Sequence, residues 1–172
     1  MPASKSNGDL TFGFLHVTDL GGGTLMGGLL ILNTLGRPLE FHCTEPVKPN
    51  RAQQILFGAT LNAYLYGEQI SQSLVRHSSL KPGLLITDQR PVLAVRALVD
   101  IPTLWLPESG SAETYEGCVP VQLGLRNVLL EEAYQADLET VLQRIQRSLP
   151  GWDLAEPFER IHEAITELQK AA

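Results

Sequence analysis

The sequence predicts an α/β fold, on three observations. Short apolar segments near the start read as an antiparallel meander of three strands, a long helical pattern begins at Asn50, and Leu84-Leu85-Ile86 is an apolar run bounded by breakers. The first predicted strand is Thr11 to Val17 (TFGFLHV). A turn or loop follows, made of Thr18, Asp19, Leu20 and the glycines Gly21, Gly22 and Gly23. Leu25 to Asn33 (LMGGLLILN) is the second strand, and its near-continuous apolarity implies cover on both faces. After a turn at Leu35-Gly36-Arg37, the segment Leu39 to Thr44 alternates. Leu39, Phe41 and Cys43 take one face, and Glu40, His42 and Thr44 the other.

Pro46 and Pro49 end the meander, and Asn50 suits a helix N-cap. Ala52, Ile55, Leu56, Ala59 and Ala63 share a helical face. Ile70, Leu74 and Val75 continue it past Gly67, where the helix bends or restarts. Lys81-Pro82-Gly83 is a stop signal, and Leu84 to Ile86 is a buried strand. Pro91 suits a first helical turn, with Asp88 or Gln89 as its cap. Val92 to Val99 then predicts a short helix, or less favourably a strand. Ile101 to Leu106 is a further strand, which Pro102 makes an edge or bulged strand. Pro107 to Gly117 is a polar loop, and Cys118 to Leu125 a short strand or irregular packing. Tyr134, Leu138, Val141, Leu142, Ile145 and Leu149 stripe one terminal helix. Leu154, Phe158, Ile161, Ile165 and Leu168 stripe a second, beyond Pro150-Gly151. The expected organisation is a flexible tail (1–10), an α/β core (11–106), the loop (107–117) and a two-helix extension (118–172) packing on the core.

Composition narrows the function. The chain has 172 residues, 44% hydrophobic and 19% charged, ordinary for one globular domain. No apolar run approaches the roughly 18 residues of a membrane span. The polar start lacks a secretory signal's apolar stretch, so a cytoplasmic protein with no membrane partner is expected. Cys43 and Cys118 lie far apart and are expected to be reduced. The net charge of −6 disfavours nucleic acid as a partner.

The order of three meandering strands, long helix, buried strand, short helix and strand resembles the ribonuclease H-like fold. Local stretches add to it. Asn50-Arg51-Ala52-Gln53-Gln54 opens the first helix much as an Asn-Arg-x-Glu segment does in that family. Thr87-Asp88 ends a strand where the family places a catalytic aspartate, and Thr18-Asp19 with the paired Gly27-Gly28 looks like its first hairpin. The resemblance spans Phe12 to Leu106. It implies that Asp19 and Asp88 are catalytic and hold Mg²⁺ or Mn²⁺ for phosphodiester cleavage. Gln53 stands where a glutamate should, and a neutral amide cannot supply that charge. Glu68 lies about four turns further along the helix, and nothing singles out Asp137 or Glu139 as a replacement. The plainer reading makes Asp19 a turn residue and Asp88 a helix cap.

Asp19-Leu20-Gly21-Gly22-Gly23-Thr24 also resembles the phosphate-binding hairpin of actin-like and heat-shock chaperone ATPases. That resemblance implies nucleotide binding by Gly21, Gly22, Gly23 and Thr24. His16 and His42 flank the second strand, so a metal site across the meander is conceivable, although simple hydrogen bonding is the commoner use. The expected function is therefore a non-catalytic ribonuclease H-like module, acting through a protein partner or as a homo-oligomer. Its rivals are a Mg/Mn-dependent nuclease using Asp19 and Asp88, and a nucleotide binder.

Overall fold

The computed structural model describes residues 10–108, 115–123, 126–146 and 153–172. The meander forms as β1 (Phe12–Asp19), β2 (Leu25–Leu32) and β3 (Pro38–Cys43). A helical run follows: α1 (Arg51–Phe57), a π-helix (Ala63–Ser71) and α2 (Gln72–His77). Next come β4 (Leu84–Thr87), a 3₁₀ helix (Arg90–Ala97) and β5 (Thr103–Trp105). A hairpin of β6 (Cys118–Leu123) and β7 (Arg126–Glu131) leads through a further 3₁₀ helix (Glu132–Asp137) to α3 (Leu138–Gln146) and α4 (Glu156–Lys170).

All seven strands join one sheet in the order β3-β2-β1-β4-β5-β7-β6. The meander is antiparallel, β1-β4-β5 run parallel, and the last hairpin is antiparallel. One sheet face, with Phe12, Phe14, Leu30, Ile86 and Leu104, packs under Phe158, Ile161 and Ile165 of α4. The other, with Leu15, Leu29, Ile31 and Leu85, packs under Leu65, Ile70 and Leu74 of the π-helix and α2 and under Val92 and Val95. The sheet is thus the middle of three layers. The expected double cover of β2 holds along its whole length, since all eight residues are buried. The stripe of α4 is spent on its own sheet, so it offers no docking face as far as Ile165.

Four sequence expectations need correction. Pro102 does not mark an edge strand: β5 lies between β4 and β7. Pro102 precedes the strand, where its carbonyl accepts from Leu85 N–H at 2.9 Å and its missing N–H costs nothing. The real edges, β3 and β6, carry Pro38 and Pro120. The segment 126–131 is a strand that the helical pattern of the terminal region concealed. The apolar face of α1 is not buried: Ile55 and Leu56 are 63% and 83% exposed, and no residue of α1 is buried. Asp88 and Gln89 precede the 3₁₀ helix, yet neither caps it with its side chain. The tail and most of the 107–117 loop, with Ile145's side chain and Leu149, fall outside the described residues. No helix among the described residues is long and apolar enough to cross a membrane. Cys43 and Cys118 are free, on strands at opposite edges of the sheet.

Candidate active site

Because β1 and β4 are parallel neighbours, their carboxyl ends open on the same edge of the sheet. Backbone pairing stops at Leu15 opposite Thr87, so the next residues on each strand are His16 and Asp88. Side chains then continue the zipper. His16 Nδ1 lies 2.8 and 3.0 Å from the two Asp88 oxygens. Val17 N–H donates to Gln89 Oε1 at 2.7 Å, and Gln89 Nε2 donates to the Val17 carbonyl at 2.7 Å. The Gln89 amide thereby imitates a strand partner for β1. Gln89 N–H donates to Thr87 Oγ1 at 3.1 Å, tying the turn to the fully buried end of β4. Asp88 and Gln89 are thus drawn away from the helix they could cap and across to β1.

The Asp88 carboxylate is an acceptor, so the His16 Nδ1 that faces it carries a hydrogen, and Nε2 is the ring nitrogen left to exchange a proton. His16 and Asp88 side chains keep 15% and 29% exposure. They open into a cleft of about 610 Å³ that is also lined by Glu108, Arg126, Phe158, Glu159, His162 and Glu163. His162, from α4, stands with its ring 6.2 Å from that of His16, centroid to centroid, at 85°. Its Nδ1 is 3.4 Å from Thr18 Oγ1. Phe158 packs against both Phe14 and His16 and forms an apolar wall.

Asp19 lies elsewhere. It is three residues past His16 and has the opposite parity on β1, which turns its side chain to the other sheet face. There its negative charge, after burial, helps push the Tyr66 hydroxyl of the π-helix above its usual pKa. Asp19 Oδ1 accepts from Gly21 N–H at 2.8 Å, the turn role that a plain reading gives it. The structure brings His16, not Asp19, to Asp88. The glycine loop closes partly on itself: Leu20 N–H donates to Thr24 O and Thr24 N–H to Gly21 O. Gly21, Gly22 and Gly23 all have positive φ and no neighbour near a built Cβ.

The other candidates are occupied locally. Gln53 completes a capping box with Asn50, each side chain bonding the other's backbone N–H. Asp137 pairs with Arg96 at 2.8 Å, and Glu139 accepts from Gln143. Glu68 lines a groove beside Arg76 and His77. His42 bonds Glu40 at 2.7 Å, and that contact holds the Glu40 carboxyl below its usual pKa. His42 pairs across β2 with Leu29, on the face opposite His16, so no metal site forms across the meander.

The donor set does not fit the Mg²⁺ or Mn²⁺ that the resemblance implies. Such hard cations take oxygen ligands. The neighbour of Asp88 is an imidazole, and both Asp88 oxygens face it. Among the described residues, no group of three or more His, Cys, Asp and Glu side chains gathers to hold an ion.

The fold defines the class: a mixed α/β protein with a seven-stranded mixed sheet between layers of helices. Solved structures of endonuclease V are among those it resembles. Human endonuclease V superposes with a TM-score of 0.56 at 14% identity, over 96% of this chain and 87% of that one. Endonuclease V of Ciona intestinalis, in complex with a 24mer DNA containing an inosine followed by a ribo-adenosine, gives 0.53 at 11% identity, over 95% and 87%. No protein-family model matches the chain, and no curated protein is significantly similar to it.

Sequence reasoning found Asp88 and missed His16, Gln89 and His162 as partners. Strand parity held the signal for His16, which alternates with Phe12 and Phe14. Nothing in the linear sequence places His162, 146 residues further on, over the same strand end.

Proposed function

We propose that this chain is a nuclease whose active site is the cleft at the carboxyl ends of β1 and β4. One observation carries the reading: the Asp88 and Gln89 side chains leave the adjacent helix without a side-chain cap and instead bond His16 and Val17 of β1 at the mouth of an open cleft. The likeness to endonuclease V over nearly the whole chain supports it ahead of the non-catalytic module. Burial of the α4 stripe removes one reason for expecting that module. In the proposed chemistry, Asp88 orients His16 and stabilises the imidazolium formed when Nε2 takes a proton from the attacking oxygen. Arg126 supplies positive charge for the phosphate.

End-labelled RNA, DNA and hybrid strands, incubated with Mg²⁺, with Mn²⁺ and with a chelator, test this. Cleavage of at least one substrate is expected, and Asp88→Asn should slow it about 10²–10⁴-fold. An absence of cleavage in every condition, or an Asp88→Asn rate equal to wild type, rejects the reading.

A further inference from the structure

The cleft holds a second imidazole that the single general base leaves unused, and its position suggests a division of labour. We infer that His16 and His162 form a general base and general acid pair that cleaves RNA by transesterification, with the substrate's own 2′-hydroxyl as nucleophile. The inference rests on the nuclease reading and specifies its substrate and reaction.

Three observations lead to it. First, the two rings face one cleft from adjacent layers, His16 from the sheet and His162 from α4, with centroids 6.2 Å apart. In-line displacement at phosphorus puts the attacking and leaving oxygens on opposite sides of the phosphorus. Two proton-transfer groups set apart across a cleft can each reach one of those oxygens. Second, the two rings have different partners. His16 Nδ1 meets a carboxylate, which leaves Nε2 as the acceptor a base requires. His162 Nδ1 meets only the Thr18 hydroxyl at 3.4 Å, and the ring is otherwise exposed. Third, the donor set that fails a hard divalent cation suits this chemistry. A hydroxyl within the substrate is already held next to its phosphorus, so no activated water is needed.

The step balances without a co-reactant. His16 Nε2 takes the 2′-hydroxyl proton as the 2′-oxygen bonds to phosphorus. The bond from phosphorus to the 5′-oxygen breaks, and protonated His162 gives its proton to that oxygen. The products are a 2′,3′-cyclic phosphate and a 5′-hydroxyl. Proton exchange with water restores both rings. DNA has no 2′-hydroxyl and cannot react this way.

The test uses the full chain, a single-stranded RNA oligonucleotide and its all-deoxy counterpart, with products read by mass spectrometry. Cleavage of the RNA alone, undiminished by chelator and leaving cyclic phosphate ends, is the expected result. His16→Gln and His162→Gln should each lower the rate about 100-fold or more, with circular dichroism matching wild type. A fold defect in His16→Gln leaves exposed His162 as the deciding variant. Metal-dependent cleavage of DNA and RNA with phosphomonoester ends would overturn this inference and keep the nuclease reading. No cleavage of any nucleic acid would overturn both.

Discussion

At the scale of single residues, the site depends on an amide that does no chemistry. Gln89 supplies Val17 with both a donor and an acceptor, prolonging the β1–β4 ladder where β4 has ended. This register holds Asp88 against His16. Gln89→Ala leaves the Val17 amide and carbonyl without those partners beneath a packed sheet, at a cost of about 1–3 kcal/mol. Urea unfolding should show that loss. The positioning role predicts more: kcat should fall while KM for RNA stays within about twofold, because an interaction made only in the transition state has weakened. A variant that is destabilised but keeps wild-type kcat would reduce Gln89 to a structural strut. Asp19 illustrates the opposite case. It is the more conspicuous acidic residue in the sequence, yet its carboxylate closes a turn at Gly21.

At the scale of elements, α4 reaches the cleft because β2 lets it come close. Gly28 lies under α4, and a Cβ built there would sit 2.5 Å from Ile161 Cγ2. Gly27, of opposite parity, gives the same clearance to Ile70 on the other face. The paired glycines are therefore seats for two helices, one on each face of the sheet. Ile161 is completely buried next to His162 in sequence, so a lift of α4 here moves the second imidazole as well. Gly28→Ala should destabilise by about 1–3 kcal/mol through overpacking and reduce cleavage beyond the loss of folded protein. Thermal melts paired with rate measurements check this, and unchanged values for both would show that α4 does not depend on that seat. α1 behaves differently. Its capping box holds the helix start, but Ile55 and Leu56 stay in solvent.

At the scale of the molecule, the layered sheet was legible because breakers and apolar periodicity agree along most of the chain. Leu25–Leu32 reads as doubly covered from its composition alone, and it is. The strand 126–131 was not legible, because Val128, Leu129 and Leu130 run into the periodic apolar residues of the following helix. Half of the site was legible: Asp88 follows a short buried strand, and such strand ends open on the sheet edge. His16 was hidden because β1 runs four residues beyond its pairing with β4, so the aspartate at its end overshoots the site. Charge then bears on what the cleft can hold. Arg126 is the one arginine or lysine among its described lining residues, joined by His162 in the protonated form the general acid requires, against Asp88, Glu108, Glu159 and Glu163, in a chain of net charge −6. Each phosphate neutralised on a single strand contributes about −0.7 to the slope of log K against log salt. Arg126 and protonated His162 together predict a slope of about −1.4 at most, hence weak binding with little salt dependence and a preference for short strands or ends. Fluorescence anisotropy of labelled RNA across a salt series measures this, and Arg126→Ala should roughly halve the slope. A slope steeper than about −3 would mean that the strand follows a basic track outside this cleft.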